Sequence, residues 1–132
     1  MPPDVLADLI LAWAHPAGTG PFGEQRWHAG GDLLLRLWPD GTQWWYRHGQ
    51  LHRGGTSPDR PAYIGADGSQ LWYRHGQRHR DGDQPAYVGA DGSQSWYRDG
   101  QRHRDGGRPA VVWADGRQEW WVDGKLIIGH PQ

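Results

Sequence analysis

Histidines recur at fixed intervals in this sequence and are its most chemically versatile residues. His52, His79 and His103 form one column, a repeat apart, and imidazole nitrogens are common zinc ligands. Zinc needs its ligands within about 2 Å, whereas three strands at roughly 4.8 Å each separate equivalent positions in a flat sheet of such repeats. An arginine follows each histidine and would repel a cation. We therefore expect no metal site, and expect packed core histidines that are hydrogen-bonded across the strand.

Catalytic groups are poorly represented. The recurring aspartates lie in Asp-Gly turns, where their backbone role already explains them. Ser69 and Ser93 follow those turns without a His–Asp pair that stands apart from the repeat. The chain has no cysteine, which excludes disulfides, thiolate zinc sites and a cysteine nucleophile. A phosphate loop and a dinucleotide fingerprint are also missing, so the sequence predicts no enzyme, no catalytic residues and no cofactor.

The composition predicts short strands joined by tight turns. Ten Trp, five Tyr and one Phe accompany 21 Gly and 10 Pro in 132 residues, and this mixture is typical of such strands. The net charge of −1, from 14 basic and 15 acidic residues, argues against a basic nucleic-acid footprint over the whole molecule and against an acidic DNA mimic. No apolar run approaches the roughly 18 residues that span a bilayer. The apolar residues 5–14 lack the basic start of a signal peptide, so we expect a cytoplasmic protein.

Internal repetition organises most of the chain. Residues 65–88 read GADGSQLWYRHGQRHRDGDQPAYV and residues 89–112 read GADGSQSWYRDGQRHRDGGRPAVV, which defines a period of 24 residues. Residues 37–64 are an earlier copy with three extra residues, and residues 113–131 are a truncated, more apolar last copy. Each unit reads strand, turn, strand, turn, strand. The sequence therefore predicts an all-β protein, an elongated antiparallel β-meander with a short N-terminal helix.

Two kinds of turn set the predicted register. Asp67-Gly68 and His75-Gly76 suit two-residue hairpin turns, because both central positions of a type I′ turn need positive φ. Counting outward from these turns, Tyr63 faces Trp72, and Trp72 faces His79. The opposite side of the strands then carries Ile64, Leu71, Tyr73 and Arg80.

One tryptophan column indicates the buried side of the sheet. It is present in all four units, as Trp45, Trp72, Trp96 and Trp120. The position before it varies, as Trp44, Leu71, Ser95 and Glu119. A position that tolerates Ser and Glu is at least partly solvated. We therefore expect the tryptophan column to be buried, since antiparallel sheets normally bury one face.

The two ends of the chain depart from the repeat. Residues 1–18 are predicted to form a helix and linker, since apolar residues recur at helical spacing between Val5 and Trp13. Residues 22–38 predict a degenerate opening hairpin around Gly30-Gly31. The last unit ends in an apolar run near the final sheet edge, and such open edges invite pairing. We expect the N-terminal helix or a second copy of the chain to cover this edge, and we favour a homodimer.

The tract W-Y-R-x-G-Q-x-H-R-D-G, followed by P-A, occurs in residues 72–86 and 96–110. It resembles the MORN-like (MORN-variant, antitoxin-like) β-hairpin repeats of phage, prophage and large DNA virus proteins. The resemblance covers residues 37–131. It departs from the family pattern where two residues, such as Asp83-Gln84, separate Asp-Gly from Pro-Ala. It implies a curved antiparallel sheet that serves as a binding surface, without catalytic residues, in the cytoplasm of a bacterial host.

Arginine and tyrosine columns supply the candidate binding residues. Tyr, Trp and Arg are enriched at protein interfaces, and Tyr73 shares a predicted face with Arg78 and Arg80. We expect a non-enzymatic protein-binding module. The viral resemblance implies an inhibitor of a host complex, such as an anti-CRISPR or other anti-defence protein that occupies a functional surface. The residues expected to bind the partner are Tyr73, Tyr97, Arg74, Arg78, Arg80 and Arg98.

Other functions remain open at this point. Arginine beside exposed tyrosine is also typical of single-stranded nucleic-acid or polyanion binding, although recurring aspartates such as Asp81 and Asp105 would neutralise arginines locally. An antitoxin or immunity-type protein is the second alternative, and aromatic residues along a flat sheet also suit stacking on sugar rings. Salt distinguishes the first alternative, because nucleic-acid binding weakens steeply as salt rises.

Overall fold

Glycine-rich turns and short aromatic strands alternate along the chain, as the repeat predicts. The computed structural model describes residues 15–19, 22–29, 32–53 and 59–130. All regular secondary structure in these ranges is β-strand. The predicted all-β class and antiparallel meander of hairpins are therefore confirmed. The strands are β1 (His15–Thr19), β2 (Gln25–Ala29), β3 (Asp32–Leu37), β4 (Gln43–Arg47), β5 (Gln50–Leu51), β6 (Tyr63–Ile64), β7 (Gln70–Leu71), β8 (Tyr73–Arg74), β9 (Gln77–Arg78), β10 (Tyr87–Val88), β11 (Gln94–Ser95), β12 (Tyr97–Arg98), β13 (Gln101–Arg102), β14 (Val111–Val112), β15 (Gln118–Val122) and β16 (Lys125–His130).

The strands form one main sheet with small hairpins beside it. The main sheet has the order β1-β2-β3-β4-β6-β7-β10-β11-β14-β15-β16, and β5 pairs with β4. β8–β9 and β12–β13 are separate two-stranded hairpins. Each internal unit therefore adds two strands to the main sheet and one hairpin, rather than the three sheet strands that the sequence predicted. The chain leaves the main ladder at Trp72 and Trp96, which lie between two-residue strands.

The Asp-Gly turns are one residue longer than predicted. The Gly65 amide donates to the Ser69 carbonyl at 2.8 Å and the Gly68 amide to the Gly65 carbonyl at 3.0 Å. Gly68 has a φ of 92°, which is typical of a three-residue loop with a left-handed final residue. The Asp67 carboxylate stabilises this loop by accepting the Ser69 amide at 2.9 Å.

The longer turn shifts the pairing by one residue. Tyr63 pairs with Leu71, and not with Trp72 as predicted. The other predicted turn is confirmed. His75 and Gly76 have φ values of 52° and 80°, as a type I′ turn requires, and the His79 amide donates to the Trp72 carbonyl at 3.1 Å.

The core of the repeat alternates large and small side chains. Trp45, Trp72 and Trp96 are at most 7% exposed, and the alanines that receive their backbone amides are fully buried. These alanines are Ala62, Ala86 and Ala110. Small residues between large ones allow neighbouring indole rings to fill the layer without clashes. The predicted burial of the tryptophan column is confirmed for these three units, whereas Trp120 is only half-buried.

The position before each tryptophan is less solvated than predicted. Leu71 and Glu119 are half-buried, but Ser95 is 7% exposed. Ser95 lies in the main sheet between Tyr87 and Val111, and these larger neighbours shield its small side chain. Tolerance of a polar residue was therefore an unreliable sign of exposure.

The N-terminal part of the structure begins with strands. β1 occupies residues for which the sequence predicted a linker, and the predicted helix between Val5 and Trp13 lies outside the described residues. β2 pairs with β3 in an antiparallel arrangement within residues 22–38. Trp27 and Leu35 of this hairpin join Trp45 and Ala62 in one buried cluster.

Candidate functional site

The hairpins of successive units are joined edge to edge through their turns. The Gly76 amide donates to the Leu51 carbonyl at 3.0 Å, the Gly100 amide to the Arg78 carbonyl at 2.9 Å and the Gly124 amide to the Arg102 carbonyl at 3.0 Å. These bonds place equivalent residues of successive units next to one another. One side of the joined hairpins presents alternating aromatic and arginine side chains. We call this set, Tyr73, Arg78, Tyr97, Arg102 and Trp121, the aromatic–arginine row.

The contacts within the aromatic–arginine row are continuous. Arg78 donates from Nη1 to the Tyr97 hydroxyl at 3.1 Å and from Nε to the Tyr73 hydroxyl at 3.5 Å. Arg102 donates from Nε to the same Tyr97 hydroxyl at 3.2 Å, and its Cζ lies 5.0 Å from the ring centroid of Trp121. Arg78 is exposed and the other four residues are half-buried. The hydrogen bond to Tyr73 is the main cause that raises the pKa of Arg78 above its ordinary value, so this guanidinium remains charged.

Two of the predicted binding arginines are paired with aspartates instead. Arg74 lies 3.2 Å from a carboxylate oxygen of Asp81 and 3.6 Å from one of Asp99. Arg98 repeats this arrangement one unit later, at 3.4 Å from Asp105 and 3.3 Å from Asp123. Each arginine bridges its own unit to the turn of the next. Local neutralisation, the alternative interpretation of the sequence, therefore describes Arg74 and Arg98.

The Arg80 side chain does not lie on the face that the sequence predicted for it. Its guanidinium lies 3.7 Å from the ring centroid of Trp72, donates to Asp59 at 2.6 Å and to the Pro85 carbonyl at 3.0 Å. The side chain is 15% exposed. Arg104 makes the equivalent contacts with Trp96, Asp83 and the Pro109 carbonyl. These arginines cover the core tryptophans and tie the loops between units, so Arg80 does not share a surface with Tyr73.

The buried histidines connect one unit to the next. The Nδ1 atom of His79 accepts the Asp99 backbone amide at 3.0 Å, and Nε2 lies 2.8 Å from Asp81. His103 repeats the pattern with Asp123 and Asp105. An Nδ1 atom that accepts an amide carries no proton, so the proton lies on Nε2 and points to the aspartate. The histidines are packed and hydrogen-bonded, as predicted, but to the turn of the following unit.

These histidine contacts also influence the neighbouring acids. The hydrogen bond from His79 is the main cause that lowers the pKa of Asp81, and His103 does the same for Asp105. Burial lowers the pKa of His52, with the nearby His75 as a second cause. In the ranges that the structure describes, no group of three or more histidine, aspartate or glutamate side chains is arranged to hold a metal ion.

Two concave surfaces lie near the last two repeats. One, of about 310 Å³, lies between the loops that follow His79 and His103. Its Asp83 is paired with Arg104 at 3.0 Å and with Arg108 at 2.7 Å, so this carboxylate is held by two guanidinium groups. The other, of about 440 Å³, lies between the polar loop of residues 103–108 and the last hairpin, where Trp120, Trp121 and Ile127 line it. Neither brings together a nucleophile and a base.

The structure divides the six predicted site residues into three groups. Tyr73, Tyr97 and Arg78 lie together in the aromatic–arginine row, Arg74 and Arg98 form ion pairs, and Arg80 covers the core. Arg102 belongs to the row and was missed. The signal that would have found it is the repeat itself, because Arg102 follows Arg78 at the 24-residue period.

Comparison of the chain with protein-family models, with curated proteins and with solved structures found no match. No helix in the described ranges has the length and apolar character to cross a membrane. By its fold, the chain belongs to the class of all-β proteins built of repeated hairpins.

Proposed function

We propose that this protein is a non-enzymatic, protein-binding repeat module that uses the aromatic–arginine row as its interaction surface. The observation that supports it most is the continuous contact of Tyr73, Arg78, Tyr97, Arg102 and Trp121 across three joined hairpins. Tyr, Trp and Arg dominate the binding energy of protein interfaces. Hairpins that are tied by backbone hydrogen bonds hold these side chains in place before a partner arrives, which lowers the entropy lost on binding.

The remaining polar side chains support a binding role rather than catalysis. His79 and His103 are engaged at both ring nitrogens by contacts between units. The aspartates near them are engaged by the same histidines and by Arg74 and Arg98. A general base must reach a substrate proton, and these groups are already occupied by structural partners.

The proposal extends to a phage or prophage origin, with the protein acting in the cytoplasm of a bacterial host. Its partner would be a host complex, such as a CRISPR effector or another defence enzyme, that is inhibited when the module covers a functional surface. This extension is supported by the MORN-like tracts of residues 72–86 and 96–110. It is an analogy from the repeat pattern, and it is separate from the argument for the binding surface.

The test is affinity purification from the native host followed by mass spectrometry. The bait is the wild-type chain, the double variant Arg78→Gln/Arg102→Gln, or the matched control Arg74→Gln/Arg98→Gln. Both doubles remove two positive charges from the same two units. We expect a partner that is enriched by the wild type and the control and lost with Arg78→Gln/Arg102→Gln. Circular dichroism verifies folding, and retention of the partner by the folded first variant contradicts the proposed surface.

Single-stranded nucleic acid is the second candidate partner. The observation that favours it is the alternation of guanidinium and aromatic groups along the row, which resembles stacking platforms for bases. This candidate predicts binding that weakens steeply between 50 and 200 mM salt, as roughly 10³-fold losses are typical of multiple phosphate contacts. A protein interface dominated by aromatic residues predicts a much weaker salt dependence.

Self-association through the last strand also belongs to the proposal. Among the described strands β16 pairs with β15 alone, and its Leu126, Ile127 and Ile128 are 53%, 58% and 45% exposed. An open strand edge with apolar side chains favours pairing with another strand, and we propose a homodimer. Light scattering over a micromolar concentration series is expected to show it. A monomer at high micromolar concentration contradicts the dimer.

A further inference from the structure

Arg78 and Arg102 differ from the arginines around them. Arg74, Arg80, Arg98 and Arg104 each form ion pairs with aspartates of their own or a neighbouring unit. Arg78 and Arg102 contact tyrosine hydroxyls and aromatic rings, and within the described ranges neither forms an ion pair with a carboxylate. In the described part of the chain, Arg78 and Arg102 therefore carry positive charges without a carboxylate partner, whereas the four arginines beside them are paired.

These two charges are also close together. Arg78 and Arg102 donate to the same oxygen, the Tyr97 hydroxyl, at 3.1 and 3.2 Å. A tyrosine hydroxyl is uncharged at neutral pH, so it orients the two guanidinium groups without compensating their charge. Two neighbouring like charges at a half-exposed site repel each other, and an anion that contacts both relieves that repulsion.

The guanidinium groups retain donors for such an anion. Arg78 uses Nε and Nη1 towards the tyrosines, and Arg102 uses Nε. A guanidinium has five N–H donors, so each arginine keeps terminal N–H groups that no hydrogen bond in the described chain occupies. Terminal guanidinium nitrogens bind carboxylates in a forked, charge-assisted arrangement.

Apolar side chains continue the arginine column at both ends. Leu51 pairs with Tyr46 across its hairpin, as Arg78 pairs with Tyr73 and Arg102 with Tyr97. Leu126 continues the column by pairing with Trp121. The surface therefore presents two positive charges between two leucines, and its complement is a segment with acidic side chains in its middle and apolar side chains at its ends.

The ring faces argue for a protein segment over nucleic acid. The Cζ atom of Arg78 lies 5.3 Å and that of Arg102 6.0 Å from the ring centroid of Tyr97, and Arg102 also approaches Trp121. Bases need free aromatic faces on which to stack, and here guanidinium groups approach those faces. Carboxylates need only the outward N–H groups. Resting on the proposed protein-binding function, we infer that the aromatic–arginine row binds an acidic segment of a partner protein through Arg78 and Arg102.

The test measures direct binding of defined probes by fluorescence anisotropy. The probes are a fluorescein-labelled deca-glutamate peptide, a Gly-Ser peptide of the same length and a labelled oligothymidylate. The proteins are the wild type, Arg78→Gln/Arg102→Gln and the control Arg74→Gln/Arg98→Gln, each with its thermal midpoint measured. We expect the wild type to bind deca-glutamate and not the Gly-Ser peptide. The first double variant is expected to weaken that binding at least ~10-fold, about 1.4 kcal/mol, and the control less than about 2-fold.

The outcomes separate this inference from the function on which it rests. If the two double variants lose affinity for deca-glutamate equally, the binding reflects general charge attraction and the inference is overturned. Preferential binding of oligothymidylate that depends on Arg78 and Arg102 overturns both the inference and the protein-binding proposal. If the wild type binds neither deca-glutamate nor oligothymidylate, while host-partner capture still depends on Arg78 and Arg102, the inference about acidic segments is wrong and the binding surface stands.

Discussion

The internal units and the last unit share a hairpin but differ in how they are held. In residues 65–112 the sequence His-Arg follows each hairpin, whereas the last unit has Ile127-Ile128 at that position. His103 receives the amide of Asp123 from the next turn, and Arg104 lies 3.8 Å from the ring centroid of Trp96. Ile127 is 58% exposed and Trp120 is half-buried.

This difference indicates what joins the repeats. The histidine of an internal unit accepts an amide from the turn of its successor, whereas the arginine pairs with an aspartate of the preceding loop as it covers the core tryptophan. The last unit has the same tryptophan and the same type I′ turn, with Asp123 and Gly124 at φ values of 49° and 81°. The side chain of Ile127 cannot accept an amide as His103 does, and that of Ile128 cannot pair with an aspartate as Arg104 does. The His-Arg pair therefore connects neighbouring units, whereas the turn and the tryptophan stabilise the fold within each unit.

The largest expected effect is the loss of folding stability when a core tryptophan is replaced, and it differs between the two regions. Trp96→Ala removes a nearly fully buried indole and is expected to lower the free energy of unfolding by about 3–5 kcal/mol. Trp120→Ala removes a more exposed one and is expected to cost less, because less apolar area is buried there. Urea denaturation followed by tryptophan fluorescence measures both. Equal losses would contradict the assigned difference in burial.

A smaller effect is expected at the coupling histidine. His79→Ala leaves the Asp99 amide without its 3.0 Å acceptor and is expected to cost about 1–3 kcal/mol, as for other amides that lose a partner. His79→Asn restores an acceptor near the Nδ1 position and is expected to recover part of that loss. Ile127→Ala, at the equivalent exposed position of the last unit, is expected to change stability by less than about 0.5–1 kcal/mol. A loss at Ile127 as large as that at His79 argues against a coupling role for the histidines.

The smallest effect concerns pH. The pKa of His52 is lowered from 6.5 by burial. Because the folded state then binds this proton less readily than the unfolded chain, the stabilisation is complete above about pH 6.5 and declines as the pH falls. The pKa values of Asp81 and Asp105 are lowered from 3.8, so their contribution is lost only under more acidic conditions.

Thermal melts at pH 7.5, 5.5 and 3.5 check these directions. We expect the melting temperature to fall at each step towards acid. His52→Asn is expected to flatten the step between pH 7.5 and 5.5 and to leave the more acidic step in place. A melting temperature that rises between pH 7.5 and 5.5 contradicts the stated sign for His52.

Much of the fold could be predicted from the sequence because it depends on local patterns. The 24-residue period, the His-Gly turn and the buried Trp72 and Trp96 follow from turn chemistry and from comparing equivalent positions. The Asp-Gly register was wrong because Asp67 accepts the Ser69 amide and extends the loop by one residue, a contact that the dipeptide alone does not specify. The break in the main sheet at Trp72, after which each hairpin forms separately, has no clear signature in the alternation of polar and apolar residues.

The candidate site could be predicted only in part. The sequence identified Tyr73, Tyr97 and Arg78, because aromatic residues and arginines recur in columns. It did not show which arginines are neutralised, since Arg74 is shared between Asp81 of its own unit and Asp99 of the next, and Arg80 pairs with the distant Asp59. Tyr73 was expected to be freely exposed, but it is half-buried and packs against the core cluster of Trp27, Leu35, Trp45 and Ala62.

The sequence by itself determined the repeat, the strand class, the type I′ turns and the identity of the core tryptophans, because these depend on φ preferences and on side-chain size within one unit. Only the tertiary structure decided which arginines remain without a carboxylate, because ion pairing depends on the distances between side chains within and between units. It also decided that His79 and His103 couple successive turns. A column of identical residues shows that the same side chain recurs at one position of every unit. The contact that it makes depends on the stacking of the next unit upon it.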